Sequence, residues 1–415
     1  MPRPVGRSCV GGSMILPNPL PFAPSLCQLH AILFTMIASE RRWSGTLLLL
    51  GTIIGAGIFG VPAMIGAWGV LPATFAFAVL TLIVLGTHLL YAEALLLEKT
   101  NKRMPGQAAY WLGKPMGTLT GFAFVLQTCG SNLAYIILGG EFLAVLARIL
   151  HLPGSVLIWQ VIFWAAGAIT VLVGLSFVER VEGFLTWALV AVIFALTAFF
   201  LMRLDFSAIL SMPSRFTFEP YGVFLFSLLG TTSMPEVEDI VRSNKRDMRL
   251  AVLRGTLGAA VLTYIFGVTA WLASGASLSR DPADLVLLLP PAVAFIIPLF
   301  GFLAVGTSFL TMSLDLRNMF HIDYHFTAPS AWLAALGVPF ALLFLTTRDF
   351  LATIGLVGAT FSAFIAATAA LTGRAALRRR KGIEKFSTLW WQANVFPALI
   401  VLAYLVGGLA WLTYA

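Results

Sequence analysis

The sequence predicts an all-α polytopic membrane protein of about eleven transmembrane helices. Three observations predict it. The 415 residues are 59% hydrophobic and 11% charged, with a mean hydropathy of +0.92, a composition foreign to soluble domains. Apolar runs of about 18 residues or more, long enough to cross a bilayer, recur along the whole chain. Two of these runs are interrupted by glycine and proline at matching places in the two halves of the chain, which points to two repeats rather than one bundle.

The first interrupted run holds Gly51-Thr52-Ile53-Ile54-Gly55-Ala56-Gly57-Ile58-Phe59-Gly60-Val61-Pro62. Glycine tolerates non-helical backbone and Pro62 cannot donate to the preceding turn, so a helix broken at mid-membrane is expected. Freed backbone groups are tolerable there only where protein, water or a ligand meets them. Small residues can also serve close helix packing, which is the competing reading for an isolated Gly-rich span. The second run, Phe226-Ser227-Leu228-Leu229-Gly230-Thr231-Thr232-Ser233-Met234-Pro235-Glu236, removes that isolation. Ser233 is placed to cap a new half-helix there, with Pro235 in its first turn.

The spans are expected at 44–66, 70–97, 117–149, 155–176, 183–203, 219–241, 250–274, 284–316, 330–346, 350–373 and 393–413. Residues 1–43 form an N-terminal tail, of which 1–35 read as a disordered segment or an over-extended start. Residues 44–203 form a first five-helix repeat, 219–373 a second, inverted one, and 393–413 an extra C-terminal helix. Five spans per block force the second block to enter the membrane upside down relative to the first. With the N-terminus inside, the inner segments carry 19 basic residues and the outer ones 5. That bias sets N-terminus inside and C-terminus outside in the cytoplasmic membrane. The net charge of +8 therefore reflects topology, including the run Arg378–Lys381, and implies no nucleic-acid partner. Cys9, Cys27 and Cys129 lack metal-like spacing and indicate neither a disulfide framework nor a zinc site.

The segments GTIIGAGIFGVP and FSLLGTTSMPEVED resemble the first and sixth spans of permeases of the amino acid/polyamine/organocation superfamily. The closest branches are the aromatic/hydroxy amino acid and amino acid/auxin permeases. In order and length the resemblance runs from Ser44 onward; at the level of motifs it covers spans one, six and eight. It implies a five-plus-five inverted repeat with an optional further span, and secondary transport of an amino acid.

An amino acid offers a carboxylate beside an ammonium. Half-helix N-termini suit the first and freed carbonyls the second. The expected carboxylate donors are the N–H groups around Ala56, Gly57 and Ile58, with Gly55 and Gly57 leaving room. Carbonyls of Ile53, Phe226, Ser227 and Leu229 are expected to face the ammonium, with Gly230 and Thr231 in the same break. On the third span Gln127, Ser131, Asn132 and Tyr135 recur at helical spacing; Asn132 and Tyr135 are candidates for the site, and interhelical bonding is the alternative for each. Phe59, Phe226 and Trp68 could cap the pocket, or be three of the 33 phenylalanines and 11 tryptophans that pack against lipid and core.

The resemblance also implies a coupling ion. In sodium-coupled relatives of this fold, an Ala-x-x-Thr-Ser spacing in span eight faces two carbonyls before the first break. The matching positions are Ala304, Thr307 and Ser308, with Gly51 and Ile54. Span five, Gly183–Met202, lacks the lysine that proton-coupled relatives often place at the cation position. Other proton carriers are then sought among intramembrane ionisable groups, where His88 and Glu141 are the candidates. Glu93, Glu238 and Asp239 lie close to the interface and read as solvated or paired.

Three function classes compete. Transport of a neutral or aromatic amino acid, driven by sodium or protons, fits best; the partners are that substrate and the bilayer, with no cofactor beyond a sodium ion. The alternatives within transport are a polyamine or organic-cation carrier and an uncoupled amino-acid exchanger. A membrane enzyme would need an HExxH, a paired intramembrane Asp or a Ser–Lys arrangement, none of which the spans hold; a channel or a transporter-derived sensor would show pore-lining charge rings or an added soluble domain, and neither is present.

Overall fold

The computed structural model describes residues 43–97, 103–173, 176–210, 217–241, 244–379 and 388–414, and their regular structure is entirely helical. The expected tail falls, up to residue 42, outside the described residues, as do Arg380 and Lys381 of the basic run.

The first span is α1 (Trp43–Ile53), a 3-10 turn Ala56–Phe59, and α2 (Val61–Trp68). It is followed by α3 (Val70–Leu97), the short α4 (Met104–Leu112), α5 (Lys114–Ile149), α6 (Val156–Val173) and α7 (Ser176–Leu201). The sixth span is again split, into α8 (Glu219–Leu228), a turn Thr231–Ser233 and α9 (Met234–Val241). The second half continues with α10 (Lys245–Ala273), α11 (Ile296–Asn318), α12 (Ala328–Leu345), and α13 (Phe350–Val357) running through a π-turn into α14 (Ala363–Arg378). The last helix is α15 (Thr388–Tyr414). Seven of these helical stretches are long and apolar enough to cross a membrane. Shorter apolar helices and the two split spans supply the rest of a polytopic, inverted-repeat fold.

Side-chain caps mark several starts. Asn244 accepts from Arg246 N and Asp247 N at 3.1 and 3.2 Å before α10, and Asp349 accepts from Ala352 N at 2.9 Å before α13; each meets N–H groups that a helix start leaves unpaired.

The packing separates a pillar from a periphery. In α5 72% of the most apolar window is buried inside the protein, against 22% in the last helix, so α5 is the central post and α15 faces lipid. α5 packs on α4, α6, α11, α12 and α13. Where α8 crosses the start of the π-turn the backbones touch through glycine. A Cβ on Gly358 would stand 2.0 Å from Gly222 O, and one on Gly222 would stand 2.1 Å from Gly355 O. Bare backbone on both sides is what allows the crossing.

Two expectations are corrected. The eighth span was placed at 284–316, but its helix starts at Ile296; the apolar stretch before it forms 3-10 turns at Pro282–Leu288 and Pro291–Val293. Pro282, Pro290 and Pro291 each remove a donor, and the first of the two turns packs against α5, α10 and α11. Ser233 does not cap α9 with its side chain; its hydroxyl donates back to Gly230 O at 3.1 Å.

Candidate functional site

The two breaks meet. At the first, Gly55 N donates to Ile53 O at 2.9 Å and Gly60 N to Gly57 O at 3.0 Å. The N–H groups of Ala56 and Gly57 thus open the 3-10 turn, where a helical start has no partner of its own to offer. At the second, Leu229 is extended (ψ 129°), so the carbonyls that end α8 leave the helical ladder. A Cβ on Gly57 would lie 2.7 Å from Ser227 Cα and 3.2 Å from Ser227 N. The backbones of the two breaks are therefore in contact, and only glycine permits it.

A small cavity of about 30 Å³ lies against this contact. Ile53, Gly55, Ala56, Gly57, Tyr135, Phe226, Leu229 and Thr231 line it, all of them named by the sequence. Ile58, Asn132, Ser227 and Gly230 do not line it. Asn132 instead turns to α11, its Nδ2 donating to Ser313 Oγ at 3.1 Å. Thr52, Thr232, Met312, Ser362, Gln127 and Ser131 complete the wall. The last two were visible as polar residues at helical spacing. Ser362 was not, because it enters from the π-turn between α13 and α14, a local irregularity common at functional sites. Gln127 Oε1, Ser131 Oγ and Ser362 Oγ are buried without a hydrogen-bond partner. Three orphaned oxygens around one cavity are costly unless a ligand meets them.

A second cavity of about 520 Å³ shares Thr52, Tyr135, Thr232 and Met312 with the first. It runs along α11 toward Asp315 and Asn318, with α1, α7 and α9 as the other walls, and includes Glu236. Gly51, Ile54, Ala304, Thr307 and Ser308 all line it. A Cβ on Gly55 would stand 3.3 Å from Ser308 Oγ, so α11 does reach the first break. In this conformer both hydroxyls donate to Ala304 O, Thr307 at 3.0 Å and Ser308 at 3.1 Å.

Beyond the first break, Phe59 packs on Phe142 and Phe300 with ring centroids 5.0 and 5.7 Å apart. Trp68 lies further along, edge-on to Phe218 and Phe224. At the opposite end Arg103 Nη1 donates to Asp315 O at 2.6 Å and its other terminal nitrogen lies 3.5 Å from the Asp315 carboxylate. Glu93 is held by Lys245 at 3.0 Å and Arg249 at 2.7 Å. His88 is fully buried and lines neither cavity. Glu141 lines neither and has one carboxylate oxygen without a partner.

Comparison with solved structures finds the same architecture in transporters. MhsT in complex with L-phenylalanine superposes with a TM-score of 0.63 at 16% identity, over 88% of this chain and 98% of that one. Mhp1, a nucleobase-cation-symport-1 family transporter in a closed conformation with bromovinylhydantoin bound, gives 0.60 at 14% identity, over 90% and 89%. At such identities the likeness speaks for fold alone. The sequence itself matches the model of the tryptophan/tyrosine permease family over residues 38–411. With a broken-helix transporter fold and a family match over nearly its whole length, the chain is a secondary transporter, not an enzyme, and belongs to the tryptophan/tyrosine permease family.

Proposed function

We propose that the protein carries a neutral aromatic amino acid across the cytoplasmic membrane by alternating access, with its N-terminus inside and C-terminus outside. One observation carries the reading. Freed backbone of two touching helix breaks and three orphaned oxygens surround a cavity whose lining holds no ionisable residue other than the Tyr135 phenol. N–H groups near Ala56 and Gly57 suit a carboxylate, and the carbonyls of Phe226 and Leu229 suit an ammonium. Nothing there would pair a charged substrate side chain. The ligand named for MhsT, L-phenylalanine, and the description of the family point the same way. A polyamine would need a carboxylate at the breaks, whereas Glu236 and Asp315 line the larger cavity instead.

A cavity of about 30 Å³ is far smaller than the roughly 300–1,000 Å³ of ordinary ligand sites. Substrate entry therefore requires Phe226, Leu229 or Met312 to give way.

Sodium is the first reading for the coupling ion, as co-substrate. The five residues that would supply its oxygens, Gly51, Ile54, Ala304, Thr307 and Ser308, all line one cavity, which supports the reading. The two hydroxyls keep lone pairs for a cation while donating to Ala304 O, but that carbonyl must shed them to bind the ion itself. The proton reading rests on Glu141 and its unpaired oxygen. Uptake of labelled tryptophan, tyrosine, leucine, arginine and glutamate into proteoliposomes, with sodium and pH gradients imposed separately, tests both parts. Aromatic uptake driven by one gradient is expected. Preference for arginine or glutamate would overturn the substrate reading, and uptake that needs internal amino acid but no gradient would make the protein an exchanger.

A further inference from the structure

His88 sits on α3 behind the second break, and both its ring nitrogens are engaged. Nδ1 is 2.9 Å from Thr256 Oγ1 on α10, and Gly230 N donates to Nε2 at 3.2 Å. A backbone N–H can only donate, so Nε2 carries no proton. The ring is neutral, its one proton is on Nδ1, and that proton goes to Thr256. Gly230 is the residue at which α8 has ended and the next turn has not begun. Its N–H is therefore among those the break removes from the helical ladder, and an unmet N–H at this depth is costly.

Gly230 also touches the first break. A Cβ there would meet Ile53 Cγ1 at 2.7 Å and Leu49 Cδ1 at 2.9 Å. Its two chain neighbours, Leu229 and Thr231, line the small cavity, as does Ile53. The direction in which the Leu229 carbonyl points is set by the same peptide unit whose nitrogen His88 holds, because C=O of residue 229 and N–H of residue 230 share one plane.

We propose that His88 is a positioning residue for the substrate site: as the neutral Nδ1–H tautomer locked by Thr256, it latches Gly230 N–H and so aims the Leu229 carbonyl at the substrate ammonium. This rests on reading the paired breaks as the substrate site. It also gives Thr256, which lines neither cavity, a specific duty. Without an acceptor at Nδ1 the ring is free to carry its proton on Nε2, and that tautomer cannot accept from Gly230.

The test is equilibrium binding of labelled tryptophan to purified protein, with monodispersity and melting temperature recorded for each variant. His88→Gln places an acceptor near the Nε2 position, whereas His88→Asn reaches only as far as Nδ1. His88→Asn is expected to weaken binding about tenfold, the loss of one buried hydrogen bond, and His88→Gln to restore most of it. Thr256→Val is expected to fall between, and Thr256→Ser, which keeps the hydroxyl, to bind as the native protein does. Equal affinities for His88→Asn and His88→Gln overturn the latch. Should His88→Asn fail to fold, equal affinities for Thr256→Val and Thr256→Ser overturn it as well. Gly57→Ala separates the two levels of the argument. If it loses binding while the His88 and Thr256 variants do not, the latch alone fails; if it too binds normally, the site at the breaks fails.

Discussion

Gly57→Ala is the sharpest perturbation of the proposed site, because it adds one methyl at the point where the breaks touch. That methyl would lie 2.7 Å from Ser227 Cα and 2.8 Å from Ser227 Cβ. Neither is the free end of a flexible side chain, so the two breaks must move apart. Inserting a methyl into a packed site costs about 1–3 kcal/mol. If that strain falls on the geometry that binds substrate, affinity drops by roughly 5- to 150-fold at about 1.4 kcal/mol per factor of ten. Gly57→Leu adds a larger wedge and is expected to abolish uptake. Gly306 serves as a control, because a methyl there has nothing nearer than Phe163 Cε2 at 4.0 Å. Gly306→Ala should bind like the native protein. The assay is tryptophan uptake into proteoliposomes alongside equilibrium binding. A folded Gly57→Ala protein with native affinity would refute the proposal that substrate sits where the breaks meet.

Three further outcomes are expected. Thr307→Val with Ser308→Ala should raise the sodium concentration for half-maximal uptake at least about tenfold for two lost ligands while leaving the maximal rate near native; uptake that ignores sodium and follows an inward proton gradient would remove the site, and Glu141→Gln should then uncouple transport from pH. Gly222→Ala or Gly358→Ala should lower the melting temperature and yield sharply, since each methyl would stand within 2.1 Å of a backbone oxygen; native stability in both would show that the crossing of α8 and the π-turn is not tight. Glu93→Gln should cost about 1–3 kcal/mol and leave tryptophan affinity unchanged, because the Glu93 side chain is only 9% exposed while Lys245 and Arg249, at 40% and 56%, stay solvated; a large loss of binding would mean that Glu93 acts on the site.

The breaks were legible because glycine and proline act on their own backbone, and no distant partner is needed to read them. The start of α11 was not. Hydropathy counts Leu285, Val286, Leu287, Leu288 and Leu289 as lipid-facing, yet Leu285 and Leu289 are buried within the protein and the neighbouring prolines impose turns. On the third span, helical spacing identified the polar residues but not their partners. Adjacent positions differ by about 100° around a helix, so Ser131 can face the cavity while Asn132 faces Ser313 on α11. Ser362 was out of reach altogether: a π-turn rotates the face of the helix that follows it, and only the folded chain reveals where that turn falls. His88 is legible as an intramembrane ionisable group, but its partners are not: only the folded chain shows that Nε2 accepts from Gly230, 142 residues away.

The two cavities also bear on the route of release. On the orientation proposed from the basic residues, the end of α11 at Asp315 and Asn318 lies inside and the end at Phe295 and Ile296 outside, so the larger cavity runs along the whole helix. The other side of the first break is filled by the packed rings of Phe59, Phe142 and Phe300. A substrate at the breaks would reach the larger cavity past the shared wall of Thr52, Tyr135, Thr232 and Met312. At the inner end of that cavity it would meet the carboxylates of Glu236 and Asp315, the latter with Arg103 bound to it. A ligand shifts such an equilibrium only through unequal affinity for the two orientations. On the proposed reading, that inequality would arise between the small site with its orphaned oxygens and the carboxylates of the larger cavity. Arg103, bound to both the carbonyl and the carboxylate of Asp315, would then temper the negative charge that such a substrate meets there.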